Sequence, residues 1–421
     1  MLQVAVLKEH KENVIERLKV KNFIDLHLVE AVLKLDDERK KVQFNLDELL
    51  AKVNLASKEI GLLIQQGQKE KADTHKKEVA EHKTSIDNIK EQLRNIEEQL
   101  QETIIRLPNL PHESVPTGKT AEGNIVIRQG GPIPTLHEKA LPHWDLARQY
   151  NLIDFELGNK ITGSGFPLYM NQGAKLQRSL IQYFLDFNTA AGYIEYIPPF
   201  VVNADSAYGT GQLPDKEGQM YYINEDKFYL IPTSEVPLTN IWRDVILKEE
   251  LPIKMTAYSP CFRREAGSYG KDVRGLNRLH QFEKVEIVQI VHPEKSYEVL
   301  EEMVQHVEKL LQTLELPYRI LKLCGGDMSF ASALTYDFEV YSAAQKRWLE
   351  VSSVSNFETF QSNRLKTRYK DANGKTQLVH TLNGSSLALP RIVAALLENN
   401  QQDNGIPLPK VLHQYLYPIL K

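Results

Sequence analysis

The stretch CFRREAGSYGKDVRGLNRLHQFEKVE, Cys261–Glu286, holds four arginines, three glycines and three glutamates in a chain whose formal net charge is −4. A strand projects residues i and i+2 to one face. Read as a strand, the segment from Arg278 puts Arg278, His280, Phe282, Lys284 and Glu286 on one face, and Leu279, Val285, Ile287 and Val291 on the other. On the incoming segment Arg263 and Glu265 share a side and Arg264 points away. Gly267, Gly270 and Gly275 mark the loop between. Such a hairpin presents guanidinium forks that match phosphate oxygens, an aromatic ring that can stack on a base, and carboxylates that can accept from an exocyclic or α-amino group. Those are the parts of a nucleotide site. They are also the parts of a surface hairpin with ordinary ion pairs, and spacing alone leaves both readings open.

The rest of the composition narrows the chemistry. No GxGxxG follows a strand and no GxxxxGK[ST] occurs, so any use of ATP proceeds without a P-loop. The twelve histidines form no HExxH or His-x-His pattern, and a structural zinc is not expected. Two cysteines, Cys261 and Cys324, make no CxxC and no disulfide framework, which points to a reducing, cytoplasmic compartment. Hydrophobic residues are 42% and charged residues 25% of 421, ordinary for a soluble globular chain of two or three domains. No run approaches the ~20 apolar residues that span a bilayer, and Lys8, Glu9, Lys11 and Glu12 interrupt any signal core. Mild acidity means that an RNA contact must come from a local patch.

The elements that must position these residues differ along the chain. Val42, Leu46, Leu49, Val53, Ala56, Ile60 and Leu63 repeat at spacings of four and three. So do Val79, His82, Ile86, Ile89, Leu93, Ile96 and Leu100. Each is an apolar seam over about three heptads, the pattern of a coiled coil, and the polar link around Gly67 predicts an antiparallel helical hairpin. At 1.5 Å per residue the arm is roughly 60 Å long. It reads either as a dimerisation element or as an arm reaching a distant partner. Lys69, Lys71, Lys76, Lys77 and Lys83 cluster near the tip, but acidic residues nearly balance them. Pro108, Pro111 and Pro116 stop the helix. The expected division is residues 1–105 for the helical domain, 106–123 for a linker and 124–421 for an α+β domain. In that last part IEYIPPFVV and KVEIVQIV read as strands, and residues 172–190 and 294–314 as amphipathic helices.

FRREAGSYGKDVRGLNRLHQFEKVE resembles motif 2 of the class II aminoacyl-tRNA synthetases, and specifically of the seryl-tRNA synthetases. PNLPHESVP, GTGQLP, YLIPTSEVPLTN, LEVSSVSNFETFQSNRLKTRY and HTLNGSSLALPRIVAALLEN resemble further stretches of that family, in the family's order. The resemblance spans essentially the whole chain. It implies an antiparallel catalytic sheet flanked by helices, a preceding hairpin that binds the long variable arm of serine tRNA, and a homodimer with Ile197, Pro198 and Pro199 near its interface. The implied reaction joins L-serine to ATP as seryl-adenylate, then transfers serine to the 3′ end of serine tRNA, with selenocysteine tRNA a second candidate acceptor.

By motif position, Arg263, Arg278 and Arg391 carry the catalysis. Arg263 would hold the α-phosphate and the serine carboxylate, Arg278 the terminal phosphates, and Arg391 the outer adenine face and γ-phosphate. Glu265 would meet the adenine amino group and Phe282 stack on the ring, with Arg264 and Leu279 in the same ATP-binding stretch. Glu350, Val351, Ser352 and Ser353 complete it, Glu350 and Ser353 coordinating Mg²⁺, a hard ion that takes oxygen ligands. For serine the resemblance implies Thr233, Ser234, Glu235, Arg263, Glu286, Asn383 and Ser385. Ser352 reads equally as a strand residue, whereas the resemblance outweighs a turn cap at Thr233 and a solvated flank at Arg391. Pro390 and Ser329 stand where the family often has glycine, and Gly165 where it often has arginine. Two alternatives stay in view: an amino acid:carrier-protein ligase, which would be expected to lack the arm, and a noncatalytic RNA-binding paralogue, which would not need the arginines. Arg274 receives no role.

Overall fold

Both seven-residue seams lie within long helices. After two short helices, α1 (Val4–Glu9) and α2 (Lys11–Val20), come α3 (His27–Gln65) and α4 (Lys69–Ile104). The structure, a computed structural model, describes residues 1–215, 217–265, 274–416 and 418–420. Every seam position is buried or half-buried, with Val42, Leu46, Val79, Ile86 and Ile96 all under 9% exposed. Gly67 turns the chain between the helices at φ +76°, a left-handed value that costs glycine little because it has no Cβ. The charges pair locally, and all but Asp36 stay outside the buried seam. Asp36 lies between Arg39 (3.0 Å) and Lys40 (2.5 Å), Lys76 pairs with Asp73 (2.7 Å), and Arg94 with Glu98 (3.5 Å). Lys69, Lys71, Lys77 and Lys83 are exposed.

This hairpin belongs to one compact unit, Met1–Lys19 with Phe23–Pro108. Val20–Asn22 and Asn109–Lys421 form a second. In the second unit the proline-rich segment is pinned by its backbone: Asn109 N–H donates to Phe330 O at 2.9 Å and His112 N–H to Ala333 O at 2.7 Å. The half-buried Lys21 donates from its ammonium to the carbonyls of Ser332 (2.8 Å) and Phe330 (3.2 Å). Burial lowers its pKa to about 7.

An eight-stranded sheet organises the second unit. In chain order its strands are β1 (Ile125–Gly130), β2 (Ile194–Glu195), β3 (Ile253–Phe262), β4 (Gln281–Val291), β5 (Tyr318–Lys322), β6 (Leu334–Ser342), β7 (Arg347–Asn356) and β8 (His380–Ala388). Their spatial order is β1-β5-β6-β7-β8-β4-β3-β2. All pairings are antiparallel except β2 with β3. The expected strand IEYIPPFVV divides into Ile194–Glu195 and Val201–Val202. Pro198 and Pro199 between them have no N–H to give a ladder.

Alternation along β4 sorts the two faces. Val285, Ile287 and Val291 enter the large core with Leu176, Leu180 and Phe184 of the helix Asn171–Ala190, Met303 and Val307 of the helix Ser296–Thr313, and Ile392 and Leu396 of the helix Leu389–Asn399. These three helices are amphipathic and cover one side of the sheet with their apolar stripes. On the opposite face Val288 and Ile290 pack with Met255 and Leu238. Nearer the start of β4 that face is polar, and there the sheet is open.

Candidate active site

A cavity of about 710 Å³ lies over this open part. Phe282, Lys284 and Glu286 of β4 line it, as the alternation expects, and so do Arg263 and Glu265 but not Arg264. Arg264 is exposed and its N–H donates to Gln219 O at 2.9 Å. The strand reading fails upstream. β4 begins only at Gln281, and residues 274–280 turn, so Arg278 and Leu279 both line the cavity. His280 leaves the expected face. It stacks on Phe166 with ring centroids 5.4 Å apart, and its Nδ1 pairs with Tyr221 Oη at 2.9 Å. Gly165 sits against this ring at φ +84°, where a Cβ would come within 2.4 Å of His280 Cδ2. Gly267 and Gly270 lie outside the described residues.

One half of the cavity is cationic and aromatic. The Arg263 guanidinium lies over the Phe282 ring, 5.2 Å from its centroid. Arg278 Nε is 2.5 Å from Glu265 Oε2. This is an ion pair without the alignment of a directed hydrogen bond, since Nε has no hydrogen-bond partner. Arg391 stands in the first turn of the helix Leu389–Asn399, donating from Nε to Asn277 O (3.1 Å) and from Nη1 to Glu350 O (2.6 Å). Pro390 precedes it in the first helical turn, where a missing N–H costs nothing. Ser329 lies in the cavity wall.

Glu350, Val351, Ser352 and Ser353 all line the cavity although they are consecutive in a strand. A register shift explains this: Ser352 pairs with Phe338 and Glu350 with Glu339, which leaves Val351 as a bulge. Glu350 is exposed. Ser353 donates to Asp337 Oδ1 at 2.6 Å, and burial followed by the Glu350 charge raises the Asp337 carboxyl well above the ordinary range. Ser352 donates to Ser385 O at 2.6 Å. A solvent-facing carboxylate and a hydroxyl oxygen beside a buried carboxyl are donors that suit a hard cation.

The other half is small, polar and buried. Thr233 and Glu235 open the helix Glu235–Asn240, Glu286 comes from β4, and Asn383 and Ser385 come from β8, where Ser385 sits directly opposite Glu286. All five line the cavity and all are under 9% exposed. Thr233 Oγ1 donates to Glu286 Oε2 at 3.2 Å and Ser385 Oγ to the same oxygen at 3.5 Å. Gln361 donates to Glu235 Oε1 at 2.6 Å. Burial, then the charge of Glu286, pushes the Glu235 carboxyl up to about 7, against the hydrogen bonds of Gln361 and Asn383. Ser234 departs from expectation: it is fully buried and donates to Ser259 Oγ at 2.6 Å, away from the cavity. Lys284 was not among the expected contacts, yet it lines the cavity and is buried. Its membership of the Phe282–Glu286 face was the available signal.

A buried polar cluster supports the cationic half from behind. His143 is fully buried; its Nδ1 pairs with Glu398 Oε1 at 2.7 Å and its Nε2 accepts from Leu276 N–H at 2.8 Å. Glu398 also accepts from Ser342 and, at 2.9 Å, from Gln345. Burial would raise this carboxyl, but the hydrogen bonds from His143 and Ser342 hold it below the ordinary range. Gln345 in turn accepts from Asn277 at 3.0 Å, the residue whose carbonyl receives Arg391.

Sheet, cavity and arginines together define the class. Residues 220–400 match the family described as tRNA synthetase class II core domain (G, H, P, S and T). Residues 1–111 match the Seryl-tRNA synthetase N-terminal domain. The chain is 49% identical to a serine–tRNA ligase of Salinibacter ruber, over 99% of this chain and 98% of that one. Its fold is similar to the seryl-tRNA synthetase of Pyrococcus horikoshii complexed with ATP, with TM-score 0.91 and 32% identity over 99% and 98% of the two chains. It is also similar to the cytoplasmic serine–tRNA ligase of Naegleria fowleri in complex with AMP, with TM-score 0.87 and 25% identity over 100% and 99%. The chain belongs to the seryl-tRNA synthetases.

Proposed function

We propose that the cavity activates L-serine with ATP and passes it to the 3′ end of serine tRNA. The observation that carries this reading is the division of one cavity into two halves, Arg263, Arg278, Phe282 and Arg391 in one and Thr233, Glu235, Glu286, Asn383 and Ser385 in the other. A serine carboxylate oxygen attacks the α-phosphorus and pyrophosphate leaves. The terminal ribose hydroxyl of the tRNA then attacks the seryl carbonyl carbon and AMP leaves. Neither step requires a protein nucleophile; positioning and charge stabilisation do the catalysis.

Arg263 sits where the halves meet, suited to both the serine carboxylate and the α-phosphate. The triphosphate draws Arg278 from Glu265, freeing that carboxylate for the adenine amino group. Phe282 and Arg391 supply the two adenine faces. Glu235 and Glu286 receive the α-ammonium and hydroxyl of serine. Glu350 and Ser353 would hold Mg²⁺, which when bound neutralises phosphate charge.

The hairpin is the tRNA-binding part, and its exposed lysines support contact with a phosphate backbone. Ile194 and Ile197 are 58% and 87% exposed and Phe200 38%, an apolar surface suited to a second copy. Among the described residues no helix is long and apolar enough to cross a membrane. Cys261 and Cys324 are free thiols, the state that a reducing, cytoplasmic setting keeps. Serine-dependent ATP–pyrophosphate exchange, followed by charging of purified serine tRNA, tests the reading. Exchange without charging would favour the carrier-protein ligase, and neither activity would favour the noncatalytic paralogue. Charging of selenocysteine tRNA is measured in the same assay.

A further inference from the structure

The serine half of the cavity contains a buried cation that the roles above leave unused. Lys284 is 6% exposed. Its Nζ lies 2.5 Å from Glu286 Oε2 and donates to Thr233 Oγ1 at 2.9 Å. Taking an ammonium out of water is expensive, and such a group persists where opposite charge and hydrogen bonds receive it. Here it receives both from the residues assigned to the substrate. Thr233 Oγ1 already accepts from Lys284 Nζ and from Glu235 N–H (3.2 Å), so its own proton is directed to Glu286. The lysine therefore fixes the orientation of a hydroxyl and of a carboxylate in the pocket.

The charges around it can be counted. Glu235 comes from the helix Glu235–Asn240, Cys261 from β3, Arg263 from the exit of β3, and Lys284 and Glu286 from β4. Asn383 and Ser385 of β8 and Gln361 of the helix Thr359–Leu365 are neutral. Glu283 turns away and accepts from Tyr258 at 2.6 Å. Arg263 serves the other half. Within the serine half, Lys284 pairs with Glu286 and its charge also reaches Glu235, so that one cation faces two carboxyls.

We propose that Lys284 is a specificity-determining residue: it sets the pocket's charge so that one ammonium, that of the amino acid's backbone, completes it, and it orients Thr233 and Glu286 toward a side-chain hydroxyl. This rests on the serine reading above. Without Lys284 two buried carboxyl groups would face each other, and the pocket would favour a substrate bringing a second ammonium, such as L-2,3-diaminopropionate, the serine analogue with an amine in place of the hydroxyl.

Pyrophosphate exchange on the full-length enzyme tests this with serine and L-2,3-diaminopropionate. Lys284→Gln keeps a donor for Thr233 but removes the charge. Its serine KM is expected to rise roughly tenfold or more, as when one member of a buried pair is lost. The ATP KM should stay within about twofold, because the nucleotide half is untouched. The serine-to-diamine preference should fall by a factor similar to the KM rise. Lys284→Arg keeps the charge and should retain the preference, with a change in serine KM alone. Wild-type serine KM and preference in a folded Lys284→Gln overturn the inference. Should Lys284→Gln not fold, a Lys284→Arg enzyme that loses the preference, or whose ATP KM moves instead of its serine KM, overturns it. Absence of serine-dependent exchange in the wild type would sink the functional reading, and this inference with it. Exchange intact in the wild type and unaltered in the variant would sink this inference alone.

Discussion

In the helical hairpin the buried positions are apolar save Asp36, whose cationic partners Arg39 and Lys40 sit three and four residues away on the same helix. In the serine half of the cavity Glu235, Lys284 and Glu286 are buried together, and they meet only because the sheet brings a helix start against β4. Local pairs on a solvated helix contribute little and are screened by salt. Buried pairs between distant segments are costly to assemble and costly to break. The arm can therefore vary its charges with little effect on folding, whereas the pocket cannot.

Removing the arm presses this contrast hardest. Trimming the hairpin between residues 42 and 100 should leave serine-dependent pyrophosphate exchange intact and reduce tRNA charging to background. Wild-type charging by the trimmed, folded enzyme would mean that the arm is not the tRNA reader. Next in size is the choice between serine and alanine. A site that hydrogen-bonds a hydroxyl leaves buried groups unpaired with the analogue lacking it, so discrimination in exchange should reach roughly 10³-fold or more. Comparable exchange with alanine would show Glu286, Asn383 and Ser385 to be misassigned.

Two adjacent arginines should separate by about 10²-fold. Arg263→Ala deletes a preorganised donor to the reacting phosphate, a loss typically of ~3 kcal/mol, and lysine should not restore it because a point charge lacks the planar fork. Arg264→Ala, outside the cavity, should change exchange only a few-fold. Equal damage in both would contradict the geometry.

A smaller effect follows from Glu235. Burial and the Glu286 charge push its carboxyl up to about 7, and an α-ammonium needs the ionised form, so serine kcat/KM should rise about tenfold from pH 6 to pH 8. A flat profile would mean that Glu235 does not meet the ammonium. The same shift has an opposite sign for stability. The folded-state pKa lies above the ordinary carboxylate value of 4.5, so the folded chain holds the extra proton between those values and stability falls as pH rises through that window. Glu235→Gln should thus melt higher than wild type at pH 8, with the gap shrinking below about pH 5, while losing serine affinity. The smallest effect belongs to the arm: Arg94→Ala breaks an exposed pair and should leave both melting and exchange at wild-type values. A marked drop in melting temperature would show that the hairpin, like the pocket, depends on its charges.

How legible each region was follows from the same contrast. The hairpin could be read from sequence because its seam repeats within one segment, and every seam residue is buried or half-buried. Phe282, Lys284 and Glu286 were legible from strand alternation, while Leu279 and His280 were misplaced because the chain turns until Gln281. Glu350–Ser353 defeat alternation through the bulge at Val351. Thr233, Glu235, Asn383 and Ser385 lie in segments about 150 residues apart, and no periodicity links them; the family resemblance did. Ser234 was carried over with its neighbours, but the start of its helix turns it to Ser259. Lys284 was seen on the right face, yet a lysine in a half-polar strand looks solvated until the sheet closes over it.

The cluster behind the arginines has a consequence for descent. His143, Ser342, Gln345 and Glu398 share one carboxylate, though they are spread over more than half the chain. Changing one leaves the others with unmet donors or acceptors, so their substitutions are non-additive. Neutral drift at any of these sites is then conditional on the rest, and a chimaera joined between residues 143 and 342 inherits a matched set only if both parents chose the same one.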